Sequence, residues 1–362
     1  MLRRVPFEKI ENFRDLGGYA TPYGETAFNV IYRSGSLSDA TQNDLDKMAA
    51  MGIKSIIDLR DDKAKANIPD KTSLDPRFKT YLLPVNGNGR VPTCRRDMIN
   101  SYLEMLEDPY SARKVIMTLA TCEKPCVIHC TAGKDRTGSF ISLLLLANGV
   151  LFQDVNADYM LSFAYLTRLM KETLTNYPTF PKAVLTPQTM FLPHVYEKFT
   201  KLYGSIPSYL ETIGLDEDQI ALFSNLLGKQ EISAGAVIFR GNEILVEHMV
   251  KGHYSIPKGH VETCDKDLYD AVRREVKEEV NLDIDFLSDK TTSICYSPKP
   301  GVAKRVIFFL ASYKGGDMKF QKEEISDAYW LGPNDAIKTL SHLSDRSTAK
   351  WAYEEKSKLS DK

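Results

Sequence analysis

The sequence predicts an α/β protein made of two consecutive domains. Apolar, strand-like runs alternate with helical patterns as far as about residue 228, which is typical of a mostly parallel sheet covered by helices. A short polar stretch follows, and after it two strand-like runs are joined by a Gly-Asn turn. Each part also carries its own group of residues suited to phosphate chemistry. We therefore expect a first domain at residues 1–228, a linker at 229–233 and a second domain at 234–362.

The overall charge is close to neutral. The chain carries 47 Lys and Arg residues against 48 Asp and Glu residues, a net charge of -1. This balance gives no general attraction to nucleic acid or to an anionic membrane, so neither is expected as a partner. No apolar run approaches the roughly 18 residues of a membrane-spanning helix and no signal-peptide pattern is present, which favours a cytoplasmic location.

The segment from Val127 to Gly138 combines a nucleophile with a phosphate-binding site. An apolar run ends at Cys130, and Thr137-Gly138 opens a helical pattern. Gly133 lets the backbone curl with its N–H groups inward, the helix N-terminus favours an anion, and the planar Arg136 guanidinium can bind two phosphoryl oxygens. The same surroundings favour a thiolate. We expect Cys130 to attack phosphorus without a metal, forming a phosphocysteine that water hydrolyses.

Other residues of this segment are expected to bind the phosphate. They are His129, Thr131, Ala132, Gly133, Lys134 and Thr137. The alternative, a buried cysteine before an ordinary glycine turn, does not account for the arginine that follows it.

Two further positions precede this segment. The apolar run from Ile53 to Leu59 predicts a strand, and because parallel strands collect active-site groups at their carboxyl ends, Asp58 is expected near Cys130. Arg14 either forms a turn-stabilising ion pair with Asp15 or binds substrate, and both interpretations stay open.

Six segments together resemble a bacterial tyrosine-phosphatase family, over roughly residues 7–228. They are NFRDLGGY (12–19), YRSGSL (32–37), IIDLR (56–60), HCTAGKDRTG (129–138), DYMLS (158–162) and YGSIPSYL (203–210). The resemblance implies a cysteine-phosphatase α/β sandwich around a central, mostly parallel sheet, with Cys130 as nucleophile and Arg136 as phosphate ligand. It also associates Lys134 and Asp135 with lipid and serine or threonine phosphates. For the general acid, Asp58 is the first candidate and Asp135 the second.

The second domain contains a helix with three clustered carboxylates. The pattern from Leu268 to Val280 predicts a helix on which Glu275, Glu278 and Glu279 share a face. Close anions repel unless a cation lies among them, and oxygen-only ligands suit Mg²⁺ or Mn²⁺. For this helix taken alone, a solvated acidic face is the alternative.

Together with the preceding Pro-Lys-Gly-His-Val-Glu, this helix resembles the Nudix box, G-x5-E-x7-R-E-U-x-E-E-x-G-U, where U is aliphatic. The resemblance spans about residues 234–355 and implies a Nudix α/β/α sandwich. It makes metal ligands of Glu275, Glu278, Glu279 and the carbonyl of Gly259, gives Glu278 a catalytic role, and adds a later carboxylate, Glu323 or Glu324.

The box departs from this pattern in three places. The middle glutamate falls at Asp265 or Lys266, the loop is one residue longer, and Asn281 replaces the last glycine. Asp265 can still brace Arg274, and asparagine tolerates left-handed backbone angles.

These features predict a bifunctional phosphohydrolase. The first domain, which needs no cofactor, would hydrolyse phosphate monoesters, and the second, with Mg²⁺ or Mn²⁺, would cleave a diphosphate linkage. Expected substrates are dinucleoside polyphosphates, nucleoside diphosphate derivatives or inositol pyrophosphates, with phosphoproteins as a further class. Lys258 and His260 are expected to bind substrate phosphates. The alternative is a phosphoprotein phosphatase regulated by a non-catalytic, nucleotide-binding Nudix-like domain.

Overall fold

The computed structural model describes residues 2–62, 66, 68–86, 92–181 and 185–360. The chain divides into two compact units, Met1–Lys229 with Tyr296–Ala303, and Gln230–Cys295 with Lys304–Lys362. The expected linker at 229–233 is not a loop, because a strand begins at Lys229 and continues to Arg240.

The first unit is built on a mostly parallel sheet. Its strands are β1 (Arg14–Asp15), β2 (Ala20–Thr21), β3 (Gly24–Glu25), β4 (Ile31–Ser34), β5 (Ser55–Asp58), β6 (Lys79–Leu82) and β7 (Cys126–His129). The main sheet has the order β1-β4-β7-β5-β6, while β2 and β3 form a separate hairpin. Strands β4, β7, β5 and β6 run parallel and β1 is antiparallel to β4. The strand that ends at the cysteine segment therefore lies in the middle of the sheet, as the predicted fold class requires.

Helices surround this sheet. They are α1 (Gln42–Ala50), α2 (Arg95–Glu107), α3 (Pro109–Thr121), α4 (Arg136–Ala147), α5 (Phe152–Tyr165), α6 (Thr167–Asn176), α7 (Phe191–Tyr203), α8 (Ile206–Thr212) and α9 (Glu217–Ser224). Helix α1 begins at a capping box, in which Thr41 and Asp44 each bind the other's backbone N–H. Every residue of α4 from Thr137 to Leu145 is buried, so this helix packs inside the unit on all its faces.

The second unit is a mixed sheet with helices. Its elements are β8 (Lys229–Arg240), β9 (Glu243–Met249), β10 (Tyr254–Ser255), β11 (Lys258–His260), α10 (Leu268–Val280), β12 (Asp283–Tyr296), β13 (Val302–Gly315), β14 (Ile325–Leu331), α11 (Pro333–Thr339) and α12 (Leu343–Ser360). The strand order is β10-β9-β8-β13-β12, with β11 paired to β8 and β14 to β9.

Helix α10 packs an apolar face onto this sheet. Its Val272, Val276 and Val280 share one buried cluster with Ile238 of β8 and Leu245 of β9. The acidic residues of the helix are thereby left along the edges of the packed face. Within the described residues, no helix is long and apolar enough to cross a membrane.

Candidate active sites

The cysteine segment forms a tight turn between the central strand β7 and the buried helix α4. Cys130 directly follows β7, and α4 begins at Arg136, one residue before the helix start predicted from the sequence. Gly133 has a φ of +64°, and a Cβ at this position would lie 2.0 Å from the carbonyl oxygen of Ser34. Only glycine fits this close approach, which brings the turn against the end of β4.

The carbonyl groups of the turn are held from behind. The N–H of Ser36 donates to the Thr131 carbonyl at 2.9 Å, and the Asn12 amide donates to the carbonyls of Ala132 and Gly133 at 2.9 and 3.1 Å. Arg33 also donates to the Gly133 carbonyl, at 2.7 Å. In a trans peptide the C=O and N–H groups point in opposite directions. The N–H groups of residues 132–134 therefore point away from these supports and toward the inner side of the turn. We call the turn from Cys130 to Arg136 the cradle.

A buried ion-pair network supports this arrangement. Arg14 Nε lies 2.8 Å from Asp158 Oδ1, and Arg33 Nη1 lies 2.6 Å from Asp158 Oδ2. Burial opposes the ionisation of Asp158, but the two guanidinium groups hold its pKa well below the usual range. Because Arg14 is completely buried here, its expected role in substrate binding is wrong. The alternative Arg14–Asp15 pair is also wrong, since Asp15 accepts from the backbone of Gly17 and Asn29.

His129 belongs to a second buried cluster. Its Nε2 lies 3.0 Å from Asp70 Oδ2 and 3.9 Å from Asp58 Oδ1, and its ring is fully buried. The expected contact of the His129 ring with substrate is therefore wrong, because the ring packs against carboxylates. Burial opposes ionisation of Asp70, but His129 and Arg60 lower its pKa below the usual value.

The same cluster has the composition of a metal site. Ligand atoms of Asp58, Asp70 and His129 all lie within 4.8 Å of one another. The Arg60 guanidinium, however, lies 2.9 Å from Asp58 Oδ2 and 2.8 Å from Asp70 Oδ2, and so already supplies the compensating positive charge. We interpret the group as an ion-pair cluster that orients His129.

The two candidates for the general acid have different surroundings. Asp58 is 1% exposed, and both of its oxygens accept hydrogen bonds from Arg60. The side chain of Asp135 is 29% exposed, and its Oδ1 accepts from the Tyr102 hydroxyl at 2.6 Å. The side chain of Asp135 is thus open to solvent, whereas that of Asp58 is enclosed and paired with Arg60.

The remaining residues of the cradle differ in accessibility. Lys134 is buried, with its ammonium 3.4 Å from Asp135 Oδ1 and donating to the Leu185 carbonyl at 3.3 Å. Arg136 is partly exposed, and its Nη2 lies 3.5 Å from Asp61 Oδ2. The buried hydroxyl of Thr137 has no hydrogen-bond partner among the described residues.

In the second unit, the box residues meet where β11 packs against α10. A Cβ at Gly259 would lie 1.8 Å from Glu275 Oε2, so the Glu275 carboxylate packs directly against the Gly259 backbone and would have to shift for a larger residue. The N–H of Lys258 donates to Glu279 at 3.0 Å. These contacts place the Gly259 backbone beside two of the predicted metal ligands.

The departures from the box pattern are accommodated locally. Asp265 binds Arg274 through two hydrogen bonds of 2.9 Å each, so the shorter aspartate serves as the brace. Asn281 follows α10 with φ 58° and ψ 29°, the left-handed conformation that a glycine would adopt there.

The box carboxylates lie in an unfavourable electrostatic environment. Burial raises the pKa of Glu275, and burial together with Glu247 raises the pKa of Glu279 well above the usual value. Glu278 is 54% exposed and lies 3.1 Å from Arg274 Nη1. Within the part of the chain that the structure describes, these three carboxylates do not converge to within 4.8 Å.

A carboxylate that the sequence reasoning missed lies beside the box. Glu247 on β9 is 1% exposed, and burial raises its pKa to about 8, with smaller contributions from Glu324 and Glu275. Glu324, expected as the later carboxylate, is exposed in the turn just before β14. The sequence signal that could have identified Glu247 is its position directly after the apolar run Ile244-Leu245-Val246.

Cations also border the box. The Lys258 ammonium donates to Ser255 Oγ and to the Ile256 carbonyl. His260 is exposed, with Nε2 3.5 Å from the Lys304 ammonium and 3.3 Å from Glu231. Burial and the neighbouring Lys258 lower the pKa of Lys304. The positive charge expected for several phosphates is present on this side of the unit.

Family models match the two parts of the chain separately. The family model of the tyrosine phosphatase family matches residues 5–228. The chain belongs to the tyrosine phosphatase family. The NUDIX domain model matches residues 229–352, so a Nudix domain is fused behind the phosphatase domain.

Individual relatives are similar to one domain or the other. One relative is a Cupriavidus necator protein named as a tyrosine-protein phosphatase. It is 30% identical over 226 residues, which are 57% of this chain and 82% of that protein. A triple specificity protein phosphatase of Mycobacterium tuberculosis is 27% identical over 187 residues, 44% of this chain and 66% of that protein. An NAD-capped RNA hydrolase of Pseudomonas syringae pv. tomato is 36% identical over 102 residues, 27% of this chain and 35% of that protein. For the Mycobacterium tuberculosis and Pseudomonas syringae proteins, the match spans less than two thirds of the relative's own length.

The Asp158 network should carry much of the stability of the phosphatase domain. Asp158→Asn leaves two buried guanidinium groups without their counter-charge, so we expect a loss of about 3–5 kcal/mol in the free energy of unfolding. Urea denaturation followed by far-UV circular dichroism measures it. The matched control is Asp154→Asn, one turn earlier on α5, which should cost less than about 1 kcal/mol. Equal losses in the two variants would contradict the network's role.

The charge of Asp70 should stabilise the phosphatase domain. Although burial opposes its ionisation, His129 and Arg60 lower the pKa of Asp70, so its ionised form contributes stability above the ordinary pKa of an aspartate. This contribution is lost as the pH falls through the lowered pKa. We therefore expect Asp70→Asn to lower the free energy of unfolding more at pH 7 than at pH 3, as measured by urea denaturation. Asp75→Asn, at a carboxylate paired with the exposed Arg77, should cost less than about 1 kcal/mol at pH 7. A loss in Asp70→Asn that does not depend on pH would contradict a role for its charge.

Proposed function

We propose that the chain is a bifunctional phosphohydrolase. The phosphatase domain hydrolyses phosphate monoesters through Cys130, and the Nudix domain cleaves a diphosphate linkage with a divalent cation. The observation that carries the first activity is the turn after Cys130, whose carbonyls are held from behind so that the N–H groups of residues 132–134 point away from these supports. Membership of the tyrosine phosphatase family supports the same reaction class.

In the phosphatase reaction, the cradle amides and Arg136 bind the phosphoryl oxygens. Cys130 attacks phosphorus, the P–O bond to the leaving group breaks, and the phosphoryl group is transferred to sulfur. We propose that the Thr137 hydroxyl, which is buried and has no hydrogen-bond partner among the described residues, donates a hydrogen bond to the thiolate. Water then attacks the phosphocysteine, releasing inorganic phosphate and restoring the thiolate.

Asp135 is our candidate for the acid that protonates the leaving oxygen. It adjoins the cradle, is partly exposed, and is oriented by Tyr102. In the second step the same carboxylate can accept a proton from the attacking water. The ammonium of Lys134 lies beside Asp135 and is buried. We therefore propose that Lys134 positions the Asp135 carboxylate rather than binding a second phosphate.

In the Nudix domain, the residues present suit a hard divalent cation. Glu275, Glu279 and the Gly259 backbone lie together, and burial leaves these carboxylates in need of positive charge. Such a cation, Mg²⁺ or Mn²⁺, would supply charge neutralisation and an activated water. Arg274, held by Asp265, orients Glu275 and Glu278, and Lys258, His260 and Lys304 provide positive charge for substrate phosphates.

For the Nudix substrate we propose a dinucleoside compound with an internal diphosphate linkage. The relatives named as NAD-capped RNA hydrolases are similar to this part of the chain and support that class. Inositol pyrophosphates are the second candidate. In either case the products include a phosphate monoester, which the phosphatase domain could consume, and we propose this order of reaction for the fused chain.

Exchange of Asp135 distinguishes the two general-acid candidates. We expect Asp135→Asn to slow hydrolysis of a phosphoserine peptide by roughly 10²–10⁴-fold, because its alkoxide leaving group needs a proton. The loss should be much smaller for 4-nitrophenyl phosphate, whose leaving group departs as an anion. Asp58→Asn is the matched variant, and it should affect both substrates equally. A leaving-group-dependent loss in Asp58→Asn instead would restore Asp58 as the acid.

Two variants separate the two activities. Cys130→Ser should lower phosphate release from monoesters by roughly 10³-fold or more while sparing Mg²⁺-dependent cleavage of a dinucleoside polyphosphate. Glu278→Gln should do the reverse. Given a diphosphate-linked substrate, Cys130→Ser should accumulate the monoester that wild type consumes. If the monoester does not accumulate, sequential processing is wrong.

The same experiment tests the regulatory alternative. A non-catalytic, nucleotide-binding Nudix domain would show no metal-dependent turnover in any variant, while added nucleotide would change the phosphatase rate. Metal-dependent cleavage by Cys130→Ser would exclude this alternative.

A further inference from the structure

Glu247 is a buried carboxylate that neither the Nudix box nor the catalytic scheme uses. It lies on β9 two positions after Leu245, whose side chain packs in the same cluster as Val272 and Val276 of α10. Alternate residues of a strand share a face, so Glu247 also points toward α10. It is 1% exposed, and its Oε1 has no hydrogen-bond partner among the described residues.

The surroundings of Glu247 are mainly acidic. In the pairing registers it lies opposite Ser255 of β10 and Ala328 of β14, neither of which carries charge. Its charge interacts unfavourably with Glu275, Glu279 and Glu324. The group therefore faces the same space as the box carboxylates, from the sheet side.

Lys258 is the nearest cation to consider as a partner. It interacts favourably with Glu247 and with Glu279. Its ammonium, however, donates to Ser255 Oγ and the Ile256 carbonyl, and no ion pair within 4.0 Å joins it to Glu247 in the described part of the chain. One ammonium cannot compensate two buried carboxylates, and a buried carboxylate without a counter-charge is costly.

We propose that Glu247 is a further ligand of the divalent cation of the Nudix domain, binding it together with Glu279. The inference rests on the proposed function of this domain. A hard cation takes oxygen ligands only, and one between β9 and α10 would compensate both carboxylates and occupy the free Oε1 of Glu247. Strand β9 would then supply one ligand of the cation and helix α10 another.

Binding of Mn²⁺ to the full-length protein tests the proposal without turnover. Free Mn²⁺ is counted by electron paramagnetic resonance during titration of wild type, Glu247→Gln and Glu243→Gln. Glu243 is on the same strand but exposed and paired with Arg240, so it is a matched control. We expect Glu247→Gln to weaken Mn²⁺ binding at least 10-fold, a typical cost of disturbing a metal site, and Glu243→Gln to leave it unchanged.

Thermal melting provides the second readout. In EDTA, Glu247→Gln should melt at or above the wild-type temperature, because it removes one of several clustered acidic groups. The rise in melting temperature on adding Mn²⁺ should be smaller in this variant than in wild type. If Gln does not fold, Glu247→Asp replaces it, since the shorter carboxylate should also weaken Mn²⁺ binding.

The outcomes separate the two proposals. Equal Mn²⁺ affinity in wild type and Glu247→Gln, with equal melting shifts, would show that Glu247 is only a neutral buried acid and would overturn the inference alone. Absence of Mn²⁺ binding in wild type would overturn the proposed metal-dependent function of the domain as well.

Discussion

The ion pairs of Asp158 with Arg14 and Arg33 are the constraint on which the phosphatase site depends. Asp158 lies 144 positions from Arg14 and 125 from Arg33 along the chain, so one carboxylate joins the edge strand β1, its neighbour β4 and helix α5. Arg33 also donates to the Gly133 carbonyl, and Asn12, which Arg14 contacts, supports the neighbouring carbonyls. The direction of the cradle amides is therefore set by charges that never meet the substrate.

The two proposed phosphate-binding sites are lined by protein groups of opposite charge. In the phosphatase domain the protein itself supplies the positive groups, as backbone N–H groups, a helix N-terminus and Arg136. In the Nudix domain the protein supplies carboxylates, and in the proposed function a cation would lie between them and a substrate phosphate. Under that proposal one chain would act on monoesters and on diphosphate linkages by independent means.

Contiguous motifs were predictable from the sequence, and long-range contacts were not. The turn from Cys130 to Arg136 and the carboxylates of α10 follow from strand and helix periodicity within about a dozen residues. The alternation of strands and helices likewise gave the α/β class. The roles of Arg14 and Asp58 depend instead on the charged residues that are buried next to them in the fold. The periodicity of the sequence does not indicate which residues these are. A lone glutamate at the end of an apolar run, Glu247, gave too weak a signal to assign, although the structure buries it almost completely.

The close approach of Gly133 to Ser34 has a consequence for how the phosphatase would be inhibited. Because strand β4 and the supports behind the turn hold the cradle open in advance, little conformational entropy is lost when an anion enters. In the proposed reaction, inorganic phosphate would occupy the same contacts as the phosphoryl group of the substrate. The rigidity that favours binding of the substrate would therefore also favour competition by the product.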